Sequence, residues 1–358
     1  MRNAPISLFA FLAFTSGCNT FETVESACLD VSPGEGNITD DVDRDVFRRM
    51  NCYRRLAKRP RTAVNPLVQD AVEAHNDWIL QNNPRPETLA NENGGSAGFT
   101  GGNGVARLTA AGYTFPAHSE LLELVLREEG EFASFVVGAD HFDFWFADPF
   151  VRPAFLQPSM LGGGVVQDEY LRTFPEETAV PDLPISYTYW NLIYQTPVTP
   201  YAEIPVIYPR NGQTDAPPVY VHLSSSQSLE LGQTYGYPVT FTVGSRETNL
   251  QVTQASFRRV SDDAELPITV LTGDDAITAL RLRNTAIIVP EQPLTPGATY
   301  QADIRIKTDQ GERRARTQFT CGSMSRDIPA GLSRMAVELD RPLLDYRLGG
   351  RELYDLEE

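Results

Sequence analysis

Histidine and cysteine are both scarce in this chain, four of each among 358 residues. Imidazole and thiolate supply most acid–base catalysis and most transition-metal sites, so few positions could carry such chemistry. No two cysteines have the spacing of a structural zinc site, which argues against one. Basic charge is short as well, with 30 Lys and Arg against 47 Asp and Glu and a net charge of −17. That balance excludes a nucleic-acid partner, because a polyphosphate would be repelled, and it disfavours anionic lipid headgroups. Beyond the first residues there is no apolar run long enough to span a membrane. A convincing nucleophile–base pair is also missing. Gly94-Gly95-Ser96-Ala97-Gly98 fits the G-x-S-x-G pattern, but that motif needs a strand before it and a helix after it. Here glycine and asparagine flank both sides, and the match reads as chance in a loop.

The amino terminus, "MRNAPISLFAFLAFTSGCNT", has one positive charge at Arg2, an apolar stretch from Ile6 to Phe14, and small residues before Cys18. Residues 1–17 therefore read as a secretory signal. Thr15-Ser16-Gly17-Cys18 resembles the bacterial lipobox, with Thr15 where leucine is usual. On that reading Cys18 becomes the lipid-bearing residue, and each acyl CH₂ adds about 0.8 kcal/mol of membrane affinity. An ordinary cleaved signal with an incidental cysteine is the alternative. Asn19, rather than aspartate, permits sorting to the outer membrane by analogy with the usual rule. The expected location is thus the cell envelope, with the membrane reached through the lipid.

With Cys18 lipidated, Cys28, Cys52 and Cys321 remain in an oxidising compartment. Cys28 and Cys52 are the natural pair, tying the leader to the first helix, and Cys321 is left as a thiol at a strand end. Residues 18–40 read as a tether. Helical spacing follows in Val42, Val46, Phe47, Met50, Tyr53 and Leu56, with Asp40 or Asp41 able to cap the start. A second helix runs from Pro66 to about Gln81, with Leu67, Ala71, Ala74, His75 and Trp78 on one face, so His75 reads as a packed core histidine. A short helix ends at Gly112, and further helices are expected over 119–130 and from Glu131 to about Ala147. Strands are expected over 162–166 and 185–196. After about Glu203 the pattern changes to seven short strands, 219–223, 239–243, 251–258, 268–271, 286–289, 299–307 and 316–320, which suggest a β-sandwich. Residues 323–358 form an acidic tail that either packs as short helices or stays apart. The length allows two sizeable cores.

Six stretches in the first half occur together in an order that resembles the CAP domain, the SCP-like family of cysteine-rich secretory, antigen 5 and pathogenesis-related proteins. They are "MNCYRRLAKR" with Asn51 and Arg54, "NPLVQDAVEAHNDWILQNN", "ANENGGSAGFTG…VARLTAAGY", "HSELLELV", "FWFADPFVRPAFLQPSMLGGGV" and "YTYWNLIYQTP". The resemblance covers about 41–197. It implies an α-β-α sandwich with a central cleft, where many members hold a metal such as zinc with two histidines and acidic residues. Transferred to this chain, the first histidine falls on Asn91 and the second on Val151, before Arg152. Glu120 falls on the family glutamate. His141 and Asp148 lie near the second position in sequence. The second half resembles bacterial Ig-like modules, most clearly in "PLTPGATY", where a Pro-Gly turn leads into a strand whose tyrosine packs the core.

The expected architecture is α+β: a CAP α-β-α sandwich over 41–200, then an all-β Ig-like sandwich over 203–322. Its metal site is degenerate, since Asn91 is a poor zinc ligand and Val151 is none, so neither metal nor other cofactor is expected. The expected role is a non-catalytic binding or scaffold module for a peptide, lipid or protein, with Asn91, Glu120 and Arg152 as candidate binding residues. The alternative is a hydrolase with a centre rebuilt from His118, Glu120 and His141. Blander roles stand beside these: His118 and Ser119 capping a helix, Glu120 a first-turn acid on the helix dipole, and Arg152 paired with a local carboxylate.

Overall fold

The computed structural model describes residues 23–29, 31, 38–84, 91–114, 117–126, 138–172, 183–194, 205–222, 229–230, 232–243, 250–272, 284–309 and 311–322. The signal at 1–17, Cys18, Asn19 and the tail at 323–358 lie outside the described residues. Within them the chain is α+β.

Helix α2 (Asp41–Leu56) begins where the Asp40 carboxylate accepts from the backbone N–H of Val42 and Asp43. Such a cap is worth about 1 kcal/mol. Asp41 and Asp43 in its first turn and Arg54 and Arg55 in its last complement the helix dipole. Helix α3 (Pro66–Asn82) is capped by Asn65, carries Pro66 in its first turn, and stops at Asn83 in the left-handed conformation. The segment expected to be a tether contains α1 (Val24–Cys28), closed by a reciprocal capping box between Thr23 and Ser26. Val24, Ala27, Cys28, Val31 and Ile38 are buried in the main core. Cys28 is bonded to Cys52. Five helical residues are too few to show a period, which is why composition alone suggested a tether.

Strands β1 (Ala63–Val64), β2 (Ala117–Leu126), β3 (Met160–Arg172) and β4 (Leu183–Tyr194) form one sheet in the order β1-β3-β4-β2. Only β1 and β3 run parallel. The helix expected over 119–130 is thus corrected. "HSELLELVL" is rich in helix-forming Leu and Glu, but ten residues pair with β4 from Ala117 to Leu126, and that ladder overrides propensity. His118 and Ser119 do not cap a helix, and Glu120 is not a first-turn acid. Of the helix expected from Glu131, the described part is α5 (Ala139–Ala147). It is followed by α6 (Arg152–Leu156).

Alternation along β4 separates the two faces of the sheet. Trp190 lies against Phe47 of α2, Phe142 of α5 and Phe155 of α6, with ring centroids 5.1 to 5.9 Å apart. Tyr187 and Tyr189 point the other way, to Asn76 and His75 of α3. Helix α4 (Gly104–Ala110) packs beside α3 on that side. Helices therefore cover both faces, giving three layers. Side chains also close the outer edge of β3: the Gln69 amide donates to Val165 O and accepts from its N–H, and Asp43 accepts from Gln167 N–H at 2.6 Å. Gly164 lets Gln69 approach, since a Cβ there would lie 2.9 Å from the Gln69 backbone.

Burial first, then Asp40, Asp168 and Glu73, raise the Asp43 carboxyl to about 7, although the Gln167 N–H opposes this. Its folded form holds the proton more tightly than the unfolded chain, so its contribution is full at low pH and is lost as pH rises from about 4 to about 7. Asp43→Asn keeps the acceptor without the charge. Relative to wild type its gain in stability should grow between pH 4.5 and pH 8 by a few kcal/mol (on the order of 1.4 per unit) and level off above. Chemical denaturation at both pH values measures it; a gain independent of pH would show that Asp43 does not titrate there.

The second half holds two four-stranded antiparallel sheets. One contains β5 (Val206–Tyr208), β8 (Val239–Thr242), β11 (Ile268–Leu271) and β12 (Thr285–Pro290), in the order β11-β12-β8-β5. The other contains β9 (Gln251–Arg259), β10 (Ala264–Glu265), β13 (Thr299–Thr308) and β14 (Gly311–Thr320), in the order β10-β9-β13-β14. Strands β6 (Val219–Val221) and β7 (Thr234–Gly236) pair separately. Tyr300 is buried between Phe257 and Phe319, and its hydroxyl accepts from Thr295 N–H at 2.8 Å. Cys321 is a free thiol buried at the end of β14, and burial pushes it up to about 12.

One apolar cluster runs through both halves instead of the two separate cores expected. Tyr208 of β5 touches Tyr53 of α2 and Phe146 of α5, with ring centroids 5.8 and 5.0 Å away. Gln157 and Asn284 exchange amide hydrogen bonds, and Val24 N–H donates to Asp215. Arg152 sits at this junction. It donates to the carbonyls of Phe146, Ala147 and Pro238 and lies over the rings of Phe146, Tyr208 and Tyr237. No carboxylate is among its hydrogen-bond or ion-pair partners in the described residues, which corrects the expected local ion pair.

Candidate functional site

The densest polar chemistry lies on the α3 and α4 side of the sheet. The loop before α4 wraps Glu92: Thr100 donates to it through both its N–H and its hydroxyl, Gly101 through its N–H, and His75 Nδ1 lies 2.9 Å away. Burial alone would raise this carboxyl, but His75 and the donors from Thr100 and Gly101 outweigh it and bring it down to about 2. Burial lowers His75, so it is neutral and its Nδ1–H donates to the Glu92 carboxylate. The ring packs between Trp78 and Tyr189. His75 is thus the packed histidine expected, and also one half of a buried dyad.

Glu120 projects from β2 into the same cluster and pairs with Arg107 of α4. The Tyr189 hydroxyl donates to Glu120 and accepts from Arg107 at 3.0 Å and from the Asn191 amide at 2.9 Å. Arg107 also reaches Gly101 O at 3.2 Å and stands 3.9 Å from Glu92. Burial opposes charge on Arg107, but Tyr189 and Glu120 dominate and hold it protonated. Burial pushes the Tyr189 hydroxyl well above its ordinary range. Gly104 leaves room for the pair, as a Cβ there would lie 2.9 Å from the Glu120 carboxylate. Both ends of each ion pair are almost wholly buried. The cluster holds Glu92, Glu120 and Arg107 as charges around neutral His75 and Tyr189.

The expected site residues scatter around this cluster. His118 is buried two positions before Glu120 on the same face of β2. His141 is on the other face, carried by α5, with its Nδ1 against Thr188 and Gln167. The sheet therefore separates His141 from Glu120, and the rebuilt His118–Glu120–His141 centre is not assembled. Asn91 is half-buried in the loop beside Glu92. Val151 is packed in the core, and Asp148 accepts from Phe150 N–H in the turn before α6. Ser96, centre of the G-x-S-x-G match, accepts from Trp78 Nε1 and donates to Asn93 O at 2.6 Å each, so it pins a loop.

The residues present do not fit the zinc that the family resemblance implies. One histidine position is the amide Asn91, the other is the core residue Val151, and the remaining acid is engaged by a guanidinium. Among the described residues no group of three or more His, Cys, Asp and Glu is placed to hold a metal. Glu120 Oε2 and Asn191 Oδ1 are buried acceptors without a partner among the described residues. Oxygen donors of this kind suit a hard cation, but Arg107 already neutralises the carboxylate. Sequence reading missed Glu92, Arg107 and Tyr189. Their signals were an acid inside a glycine-rich loop, an arginine in "VARLTAAGY", and the tyrosines of "YTYWNLIY".

The chain matches no protein-family model and no curated protein sequence. Similar solved structures include an extracellular protein containing an SCP domain from Bacillus anthracis, at 17% identity and a TM-score of 0.28, covering 45% of each chain. CopC from Methylosinus trichosporium aligns at 13% identity and a TM-score of 0.20, over 33% of this chain and 92% of that one. A β-glucuronidase from Parabacteroides merdae aligns at 12% identity and a TM-score of 0.18, over 58% and 25% respectively. This chain spans under half the length of the first of these. Superpositions at these scores do not fix a fold, and the architecture stands on the contacts given above.

Proposed function

We propose that this protein is an extracytoplasmic, lipid-anchored module of the cell envelope, in which a CAP-like α-β-α domain and an Ig-like β domain act together as a non-catalytic binding or scaffold unit. One observation carries the reading. Glu120, the family acid that the chain keeps, is buried against Arg107 and Tyr189 and so serves as a structural charge. A catalytic carboxylate needs access to substrate and a proton path; this one has a permanent cation in place of both. The His75–Glu92 dyad is likewise enclosed, with both side chains 0% exposed. A ligand of such a protein would meet its surface or the junction of its halves, and peptide, lipid and protein remain the classes considered. The leader supports the address, since Cys18 stands where a lipobox places the acylated residue.

Native mass spectrometry of the protein extracted from its own envelope tests the reading in one experiment. The expected species begins at Cys18, carries a diacyl or triacyl increment that is absent from Cys18→Ser, and takes up no stoichiometric zinc on titration. A one-to-one zinc adduct abolished by Glu120→Gln would overturn the non-catalytic reading. An unmodified mass starting elsewhere would overturn the anchor.

A further inference from the structure

The turn after α2 gathers positive charge in a chain whose net charge is −17. Arg54, Arg55, Lys58, Arg59 and Arg61 stand within eight residues there. Lys58 is left-handed at φ 57°, its N–H donates to Arg55 O at 3.0 Å, and Arg59 N–H donates to Arg54 O at 2.7 Å. The helix thus stops in the way that usually takes glycine, with an exposed lysine in that place. Cations at such an end ordinarily hydrogen-bond the last carbonyls of the helix. The Lys58 and Arg59 side chains do not. Among the described residues neither has a hydrogen-bond or ion-pair partner, and Arg59 Nε is buried in that condition. The Thr62 hydroxyl, three residues on, is likewise buried without a partner among them. Arg54 is spent on the carbonyls of Pro60, Phe155 and Gln157. Burial first, then the like charge of Arg59, bring Arg54 down to about 9, and burial lowers Arg59 as well. Among the described residues no carboxylate counters either guanidinium.

We propose that this turn binds a phosphate group, with Lys58 and Arg59 as its charged donors. A phosphate monoester carries about −1.5 to −2 charges at pH 7 and three acceptor oxygens, where a carboxylate has one charge and two oxygens. It therefore neutralises two cations and serves several donors at once. The field of the whole chain opposes any anion at long range, but salt confines it to about 8 Å, and the charges of the turn itself are all of one sign. The phosphate is that of a lipid headgroup or a free ion, and the place in the fold favours the headgroup. Arg55 donates to Ala27 O of α1 at 3.4 Å, so the turn lies beside α1. Thr23, which caps α1, follows Cys18 by five residues, a reach of at most about 18 Å. An acylated Cys18 would hold the turn near the bilayer. This choice of source rests on the anchor proposed above, whereas the site does not.

The test uses the protein with Cys18→Ser, which carries no acyl chain, so its outcome is separate from that of the anchor. One arm titrates inorganic phosphate, followed by phosphorus NMR. The other measures cosedimentation with phosphatidylcholine vesicles containing phosphatidic acid, whose headgroup is a phosphate monoester. Saturable binding is expected, weakened at least about tenfold when Lys58→Gly and Arg59→Gln are combined. Both changes keep the fold, since glycine suits the left-handed backbone and the Arg59 side chain makes no hydrogen bond among the described residues. Lys307→Gln removes one exposed charge from β13, in the other half, and should change binding less than about twofold. Binding of vesicles without binding of inorganic phosphate would assign the site to a headgroup, and binding of inorganic phosphate would assign it to the free ion. No saturable binding in either arm, or binding unchanged in the double variant, would overturn the proposal. So would equal binding to vesicles charged with oleic acid instead, since the protein would then respond to surface charge alone.

Discussion

Replacing Arg152 with methionine is expected to lower the melting temperature by roughly 10 °C, and to split one cooperative transition into two. The side chain is fully buried, and its three donors meet carbonyls at 3.0 to 3.1 Å. Two of those carbonyls, on Phe146 and Ala147, belong to the end of α5; the third, on Pro238, immediately precedes β8 in the other half. Methionine fills much of the volume but leaves all three carbonyls without a partner, at about 1–3 kcal/mol each. It also forfeits contact with three aromatic rings, a desolvated cation–π arrangement worth about 2 kcal/mol. Relief of the buried charge offsets part of this, and about 3–5 kcal/mol of net loss is expected. Arg152→Lys should recover little, because an ammonium is a point donor and cannot reach three separated carbonyls. Calorimetry decides it: a Met variant melting within about 2 °C of wild type, in one transition, would show that the apolar contacts alone join the halves.

This residue also shows where sequence reading succeeds and where it stops. Arg152 was visible as part of "DPFVRPAFLQP", but its partner Pro238 lies 86 residues away, and nothing local links the two. Helices α2 and α3 were legible because Asp40, Asn65 and Pro66 are local stop-and-start signals and the apolar spacing is long enough to repeat. The Asn51 and Arg54 pattern was legible too, and its cause is structural: Asn51 brackets Thr62, while Arg54 donates to Pro60 O and Phe155 O. Strand β2 was not legible, since leucine and glutamate favour helices until β4 supplies a ladder. The Glu120 cluster was half legible. Glu120 was found by resemblance, but Arg107, Glu92 and Tyr189 are brought to it by three different elements. Whether an acid is a catalyst or a structural charge depends on what lies beside it, and that is tertiary information.

Removing the charge beside Glu120 gives the second large effect. Arg107→Met removes the cation that pairs with Glu120 and stands 3.9 Å from Glu92, leaving Glu120 with the Tyr189 hydroxyl and Glu92 with its loop donors and His75, in a space with almost no solvent. A loss of about 3–5 kcal/mol is expected. Glu120→Leu alone should cost less, about 1–3 kcal/mol, because Arg107 keeps Gly101 O, Tyr189 and Glu92. The double variant Arg107→Met with Glu120→Leu removes both charges together, and it should be more stable than the sum of the singles predicts by about 2–3 kcal/mol. Urea denaturation of the four proteins closes the cycle. Additive losses would mean that the two charges do not interact in solution, and Glu120 would then be free to act on something else. Strong coupling would mean that Glu120 and Arg107 act as one buried unit, in which the carboxylate is the chief counter-charge of a guanidinium that also reaches Gly101 O, Tyr189 and Glu92.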